Sequence, residues 1–341
     1  SGTVPTLAPV GTPATFTYQW QSRTGANPFA DIALATGQNY SPGALTETTD
    51  FRRLVKISGC TDHESNTITI TVNNAPSLSA ISAPTAVCSG SNLSLTTPTV
   101  TPNGSAISTE GWEIETSVGS GIFVAFASPF TVDYTDNGKE IRYTATNACG
   151  TTTSNEEIIT VHDEPSLSAI TAPSAVCSGS NLSLTTPTVT PNGSAISTEG
   201  WEIETSVGSG IFVAFASPFT VDYTDNGKEI RYTATNACGT TTSNEEIITV
   251  HDVPSLTAIA TPSAVCSGDN LSLTTPTVTA NGTPITNEGW EIETSVGSGV
   301  FVAFASPFTV DYTDNGKEIR YTATNACGTT TSNEEIITVH D

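Results

Sequence analysis

The sequence predicts an all-β fold assembled from tandem β-sandwich modules, on three observations. The first is an internal repeat: Cys88, Cys177 and Cys266 lie 89 residues apart, and so do Trp112, Trp201 and Trp290, and Cys149, Cys238 and Cys327. The second is that each repeat holds seven short runs with strand character, separated by turn residues. The third is that no stretch has the 3.6-residue apolar period of a helix. A period of 89 residues exceeds the ~20–50 residues of solenoid units, which cannot fold alone, and approaches the ~100 residues of a domain with its own core. Three full modules follow, 75–163, 164–252 and 253–341, behind a divergent and shorter piece, 1–74. The first two full modules differ only at Ala75/Glu164, Ser82/Thr171 and Thr85/Ser174, so they divide no labour between them.

Aligning Trp20 with Trp112 sets Ser1 opposite Leu93. The divergent piece therefore lacks the segment that supplies the first strands and first cysteine of the later modules. Its strands are expected at Phe16 to Gln21, Phe51 to Ile57 and Thr67 to Val72, with Cys60 placed as Cys149 is. An incomplete sandwich leaves an open sheet edge, so the piece is either a truncated domain or an acceptor for a donated strand.

In the first full module the expected strands are Ser77 to Ile81, Asn92 to Leu95, Gly111 to Thr116, Ile122 to Ala127, Phe130 to Tyr134, Glu140 to Thr146 and Glu156 to Val161. Cys88-Ser89-Gly90-Ser91, Pro102-Asn103-Gly104, Gly119-Ser120-Gly121, Asp136-Asn137-Gly138 and Asn147-Ala148-Cys149-Gly150 are expected to break them as turns or loops. Alternation turns Trp112 and Ile114 inward and Glu113 and Glu115 outward. Trp20, Trp112, Trp201 and Trp290, with Tyr143, Tyr232 and Tyr321, are expected in the core, as are Phe123, Phe126 and Phe130 for the most part.

With 10 Lys+Arg against 34 Asp+Glu, the net charge is −24. Phosphate contacts need a basic face, so nucleic-acid binding is excluded, and an anionic membrane surface would repel the chain. Charged residues are only 13% of the whole, and enough aromatic and β-branched residues remain in each module for a core, unlike a disordered acidic tail. No apolar run approaches 18 residues, so no transmembrane helix is expected. Ser1-Gly2-Thr3-Val4 does not read as a signal peptide, and the chain reads as an internal segment of something larger, with export coded elsewhere.

Cys88-Ser-Gly, the Leu93/Leu95 strand, the Trp112 strand, Asp-Asn-Gly, Tyr143-Thr-Ala-Thr-Asn and Gly150 follow one another in an order that resembles bacterial immunoglobulin-like modules. In detail the repeats are similar to those of very large Bacteroidota surface adhesins, including gliding-motility adhesins exported by the type IX pathway. That resemblance implies tandem immunoglobulin-like β-sandwich modules in an elongated array. It also implies an extracellular, cell-surface setting in a bacterium, where the chain is the stalk of an adhesin or filament and meets neighbouring modules, anchoring machinery and a surface or glycan ligand. One departure is plain: Tyr143 and roughly Thr97 stand where immunoglobulin domains carry their two central cysteines.

Seven cysteines without a Cys-x-x-Cys, in a chain of exported type, favour disulfides over metal or redox work. Pairing within modules would join Cys88 to Cys149, Cys177 to Cys238 and Cys266 to Cys327, leaving Cys60 unpaired. In an immunoglobulin-like topology, however, the Cys88 turn and the Cys149 turn belong to opposite poles, roughly 30 Å apart at ~3.3 Å per strand residue, whereas bonded cysteines need Cα atoms within about 7 Å. Staples between modules, Cys88 to Cys238 and Cys177 to Cys327, are the competing scheme. A third scheme, with Cys60 to Cys88, Cys149 to Cys177 and Cys238 to Cys266, has a constant spacing of 28 but joins poles more than a module apart.

No cofactor is called for. Glu113/Glu115, Asp133/Asp136 and His162-Asp163-Glu164 raise a structural calcium site, but no EF-hand spacing supports it, and solvated carboxylates account for them better, Asp136 as a turn cap. Asn92, Asn103 and Asn181 begin sequons that matter only in a glycosylating host. Catalysis finds no motif: there is no Gly-x-Ser-x-Gly, no zinc-type histidine pair, and no histidine beside a suitable serine or cysteine. The expectation is a load-bearing stalk stiffened by short linkers and by Pro165 and Pro254, with glycan-binding modules or an accessory array of a secreted hydrolase as alternatives.

Overall fold

A computed structural model describes residues 15–57 and 59–341, and all regular elements in it are strands and short 3-10 turns. The protein is all-β and immunoglobulin-like. It divides after Val161 into two compact units. Whether residues 1–14 complete the divergent piece lies outside the described residues.

In the first unit, the long strand Glu140–Asn147 forms because Ile141, Tyr143 and Ala145 alternate with Arg142, Thr144 and Thr146, and burial follows that alternation residue by residue. It pairs antiparallel with Ile107–Glu115, with Gly150–Thr153 and, at its start, with Glu157–Ile158, while Phe123–Phe126 closes the other edge of this five-stranded sheet. Facing it are two-stranded pieces, Ser77–Leu78 on Val100–Thr101 and Asn92–Leu93 on Phe130–Thr131. Ile81, Leu93, Trp112, Ile114, Val132, Ile141, Tyr143, Ile159 and Val161 fill the space between the layers.

The Trp112 ring stands edge-on to Tyr143, its cross-strand neighbour, at 5.2 Å and 83°. Such pairs add about 0.5–1.5 kcal/mol beyond area burial. The second unit repeats the arrangement twice, around Trp201 and Tyr232 and around Trp290 and Tyr321.

Four expectations need correction. Gly150, expected in a turn, opens a strand Gly150–Thr153 that was not expected, because the Asn147–Gly150 hairpin returns the chain along its neighbour. Glu115 is buried, at 1% exposure, because the Gly119–Gly121 loop folds over it at the end of its strand. Phe123 lies outside the core, 3.8 Å beneath the Arg142 guanidinium, on the outer face of the sheet. Trp20 is only partly buried. In the divergent piece Phe51 and Ala35 are the buried apolar residues among those described. Trp20 therefore has little opposing layer to enter, and it lies against Tyr40 with its Nε1 donating to the Gly37 carbonyl.

Candidate functional site: a stapled junction

The second unit contains a complete junction between two repeats, and its chemistry is that of a fastening. The last strand of the leading repeat, Val250–His251, pairs parallel with Val176–Cys177, which sets Cys177 at the edge of that pole. The chain then crosses to the next repeat through Asp252 and Val253. The Asp252 N–H donates to the Asn281 carbonyl at 2.9 Å, and the Asn281 Nδ2 donates back to the Val253 carbonyl at 2.8 Å. Asn281 holds φ at 51°, a left-handed conformation that asparagine tolerates better than most residues. Beside it Gly282 has φ 105°, and a Cβ there would run into the His251 ring.

Asn325 joins the linker to the cysteine. It is 4% exposed. Its Nδ2 donates to the carbonyls of Asp252, at 2.7 Å, and Ala280, at 2.8 Å. Its Oδ1 accepts from the N–H groups of Cys327, at 2.8 Å, and Gly328, at 3.2 Å. One carboxamide thus fixes the incoming linker and shapes the turn that carries Cys327. Cys327 is bonded to Cys177, with Cα atoms 5.5 Å apart.

The hydrogen-bonding parts recur. Asn236 reaches the Asp163 carbonyl at 2.7 Å and accepts from the Cys238 N–H at 2.8 Å, Asn192 reaches the Glu164 carbonyl at 2.7 Å, and a Cβ on Gly193 would meet His162 Nδ1 at 2.8 Å. In the first unit Asn147 and Asn103 hold the carbonyls of Asn74 and Ala75. From sequence, Asn103 and Asn147 read only as turn residues, Asn103 also as a sequon, and no asparagine was given a role at a junction. The signal was present in Asn-Gly after Pro102 and Pro191, and in Asn two residues before each turn cysteine.

The cysteines settle as follows. Cys88 and Cys238 are disulfide-bonded. Cys60, Cys149 and Cys266 are exposed free thiols, so Cys149 and Cys266 leave the set of paired candidates. Pairing within repeats does not occur for Cys177 with Cys238 or Cys266 with Cys327, since Cys177 and Cys327 hold each other, nor for Cys88 with Cys149, whose thiol is free. The scheme with a spacing of 28 fails on Cys60, Cys149 and Cys266 alike. The physical reason is placement: Cys177 sits where the chain leaves its repeat, and Cys327 in the turn that receives it.

The carboxylates are internal structure. Amide donation from Gly121 and Gly119, opposed by burial, holds Glu115 below the usual glutamate range, and Glu204 and Glu293 are lowered by the corresponding glycines. Glu113 pairs with Arg142 at 2.9 Å. Asp133 caps the turn Tyr134–Asp136, while Asp136 accepts from the Asp133 N–H and pairs with Lys139 at 2.8 Å. Among the described residues no group of three His, Cys, Asp or Glu side chains could hold a metal ion, and no helix is long and apolar enough to cross a membrane.

A shallow hollow above Gly111, walled by Thr109, Trp112, Glu113, Ala125 and Thr144, measures about 220 Å³, and its counterpart above Gly200 about 230 Å³. Both fall below the ~300 Å³ at which ligand pockets begin.

Fold and junction together define a tandem array of immunoglobulin-like β-sandwich repeats. Residues 1–74 match a domain of unknown function (DUF8696). Among solved structures, the chain is similar to the N-terminal eight Ig domains of Down Syndrome Cell Adhesion Molecule, at 15% identity and TM-score 0.39, over 96% of this chain and 47% of that one. The insect immune protein hemolin is similar at 15% identity and TM-score 0.29, over 97% and 93% of the two chains. Sidekick-1 immunoglobulin domains 1–4 are similar at 12% identity and TM-score 0.26, over 96% and 91%. This chain spans less than half of the first of these structures, and the likeness to all three is one of fold. No curated protein matches the sequence.

Proposed function

We propose that the chain is a load-bearing repeat region of a secreted bacterial cell-surface adhesin or filament, which spaces a binding tip from the envelope and serves adhesion or gliding. The observation that carries this reading is the Cys177–Cys327 bond across a junction. Tension entering at Cys177 leaves at Cys327 without passing through the residues between, so most of two repeats is shielded from extension. A module built only to hold a ligand gains nothing from such a bypass. Disulfides persist in oxidising compartments, which supports an extracellular setting. The acidic, sparsely charged surface and the small hollows favour a spacer over glycan-binding modules, and the reading is non-enzymatic.

Single-molecule stretching of the oxidised and reduced chain tests it. Reduction is expected to release about 500 Å of extra length, from ~3.4 Å per residue over a sequence separation of 150. Equal extension in both states would sink the load-bearing reading.

A further inference from the structure

Asn-Gly is a dipeptide prone to close on itself, because glycine has no side chain to hinder attack of its amide nitrogen on the asparagine Cγ. Each full repeat holds it twice, at Asn103 and Asn137, Asn192 and Asn226, and Asn281 and Asn315. The fold treats the two sets differently. After Asn137, Asn226 and Asn315 the glycine N–H groups donate at 3.0 Å to the carbonyls of Ile159, Ile248 and Ile337. The Oδ1 atoms of the same asparagines accept from the N–H groups of Val161, Val250 and Val339 at 2.9, 2.9 and 3.0 Å. There the attacking nitrogen is engaged and the carbon it would attack is fixed. After Asn103, Asn192 and Asn281, no acceptor among the described residues takes the glycine N–H.

What faces these three glycines also differs. The His162 ring lies against Gly193, where a Cβ would meet its Nδ1 at 2.8 Å, and the His251 Nδ1 lies against Gly282 in the same way. His162 Nδ1 is buried and has no hydrogen-bond partner. With the ring proton on Nε2, that nitrogen holds a lone pair beside the Gly193 backbone. In the first full repeat Asn73 stands in this place, with its Oδ1 against Gly104. An amide oxygen accepts a hydrogen bond but is no base near neutral pH, whereas an imidazole nitrogen is.

We propose that Asn192-Gly193 and Asn281-Gly282 are self-modifying sites, at which His162 and His251 act as general bases for deamidation. As the Gly193 nitrogen attacks Asn192 Cγ, His162 Nδ1 takes its proton. The Cγ–Nδ2 bond breaks, and ammonia leaves with that proton. Water then opens the succinimide at either carbonyl, to aspartate or isoaspartate. One carboxamide and one water become one carboxyl group and one ammonia, so no oxidant or further reactant is required. Ring closure releases the Asn192 Nδ2 from the Glu164 carbonyl, held at 2.7 Å, and the Asn281 Nδ2 from the Val253 carbonyl, held at 2.8 Å. Conversion replaces that donor with a carboxylate oxygen facing the same carbonyl, which opens the hydrogen-bonded part of the junction and leaves Cys177–Cys327 in place. The inference stands on the junction geometry and is independent of whether the array bears load.

The test is incubation of the purified full chain in neutral buffer, with deamidation read at each asparagine by tandem mass spectrometry after reduction and trypsin digestion. Cleavage after Lys139, Lys228 and Lys317 places Asn103, Asn192 and Asn281 in separate peptides. Asn192 and Asn281 are expected to convert several-fold faster than Asn103, with Asn137, Asn226 and Asn315 intact. His162→Asn should lower the rate at Asn192 to that at Asn103 and leave Asn281 unchanged, while Asn73→His should raise the rate at Asn103. Equal rates at the three sites in the unsubstituted chain would overturn the proposal. So would faster conversion at Asn192 in His162→Asn, which would mean that the ring only holds the junction closed.

Discussion

Two kinds of residue decide the properties of each repeat: the junction asparagines and the buried glutamates. Asn325 makes bonds to both linker and cysteine turn, so Asn325→Ala strands two linker-side carbonyls and loosens Cys327 at once. Leaving buried polar groups unpaired costs about 1–3 kcal/mol. Thermal melting of the variant should show a loss of that size, together with slower recovery of the Cys177–Cys327 bond after reduction. Gly282→Ala is expected to act on the same junction, because a Cβ at positive φ meets the His251 ring. The glutamates work through pH. Glu115, Glu204 and Glu293 have lowered native values, so their contribution is fully present above the ordinary glutamate value near 4.3 and is lost as pH falls through the lower native one. The melting temperature should fall across that acid window. With all three changed to glutamine the fall should be shallower, the remainder coming from Asp50, Asp133, Asp222 and Asp311, whose values are lowered too. An unchanged slope in the triple variant would mean that these carboxylates are solvated.

At the scale of elements, the long central strand of each repeat carries the fold. Ile230 is fully buried beside the Trp201 and Tyr232 pair. Ile230→Ala should cost about 2–5 kcal/mol by denaturant titration, the usual range for a core cavity. Strands of this kind were legible from sequence because alternation over eight residues from Glu140 to Asn147 leaves one reading of which face is buried. Two-residue strands such as Val87–Cys88 and Val100–Thr101 were not, since two residues have no period. Thr151 to Thr153 was given no strand from sequence and Gly150 was placed in a turn, because a Gly-Thr run has no apolar alternation, and only the hairpin partner makes Gly150–Thr153 a strand. Glu115 was placed outward by the same alternation that placed Trp112 correctly. The rule fails at a strand end, where a loop can close over the side chain and replace water with amide donors. The asparagines were missed for a related reason: their role is defined by the chain that arrives from another repeat.

At the scale of the whole molecule, the repeat period set the cysteine ladder, and the geometric limit on a disulfide left two schemes that sequence could not separate. Contact between successive repeats separates them. The central claim is that a junction is covalently closed between Cys177 and Cys327, which removes a loop of sequence separation 150 from the freedom of the unfolded chain. Disulfides of this kind contribute about 2–5 kcal/mol, so reduction should lower stability by that amount, with a smaller effect in Cys177→Ser. The most direct measurement is non-reducing peptide mapping of the purified chain, with thiols blocked before digestion. The account predicts a peptide pair joining Cys177 to Cys327 and blocked thiols at Cys60, Cys149 and Cys266. A pair joining Cys177 to Cys238, or Cys266 to Cys327, would contradict it and return the array to separate beads.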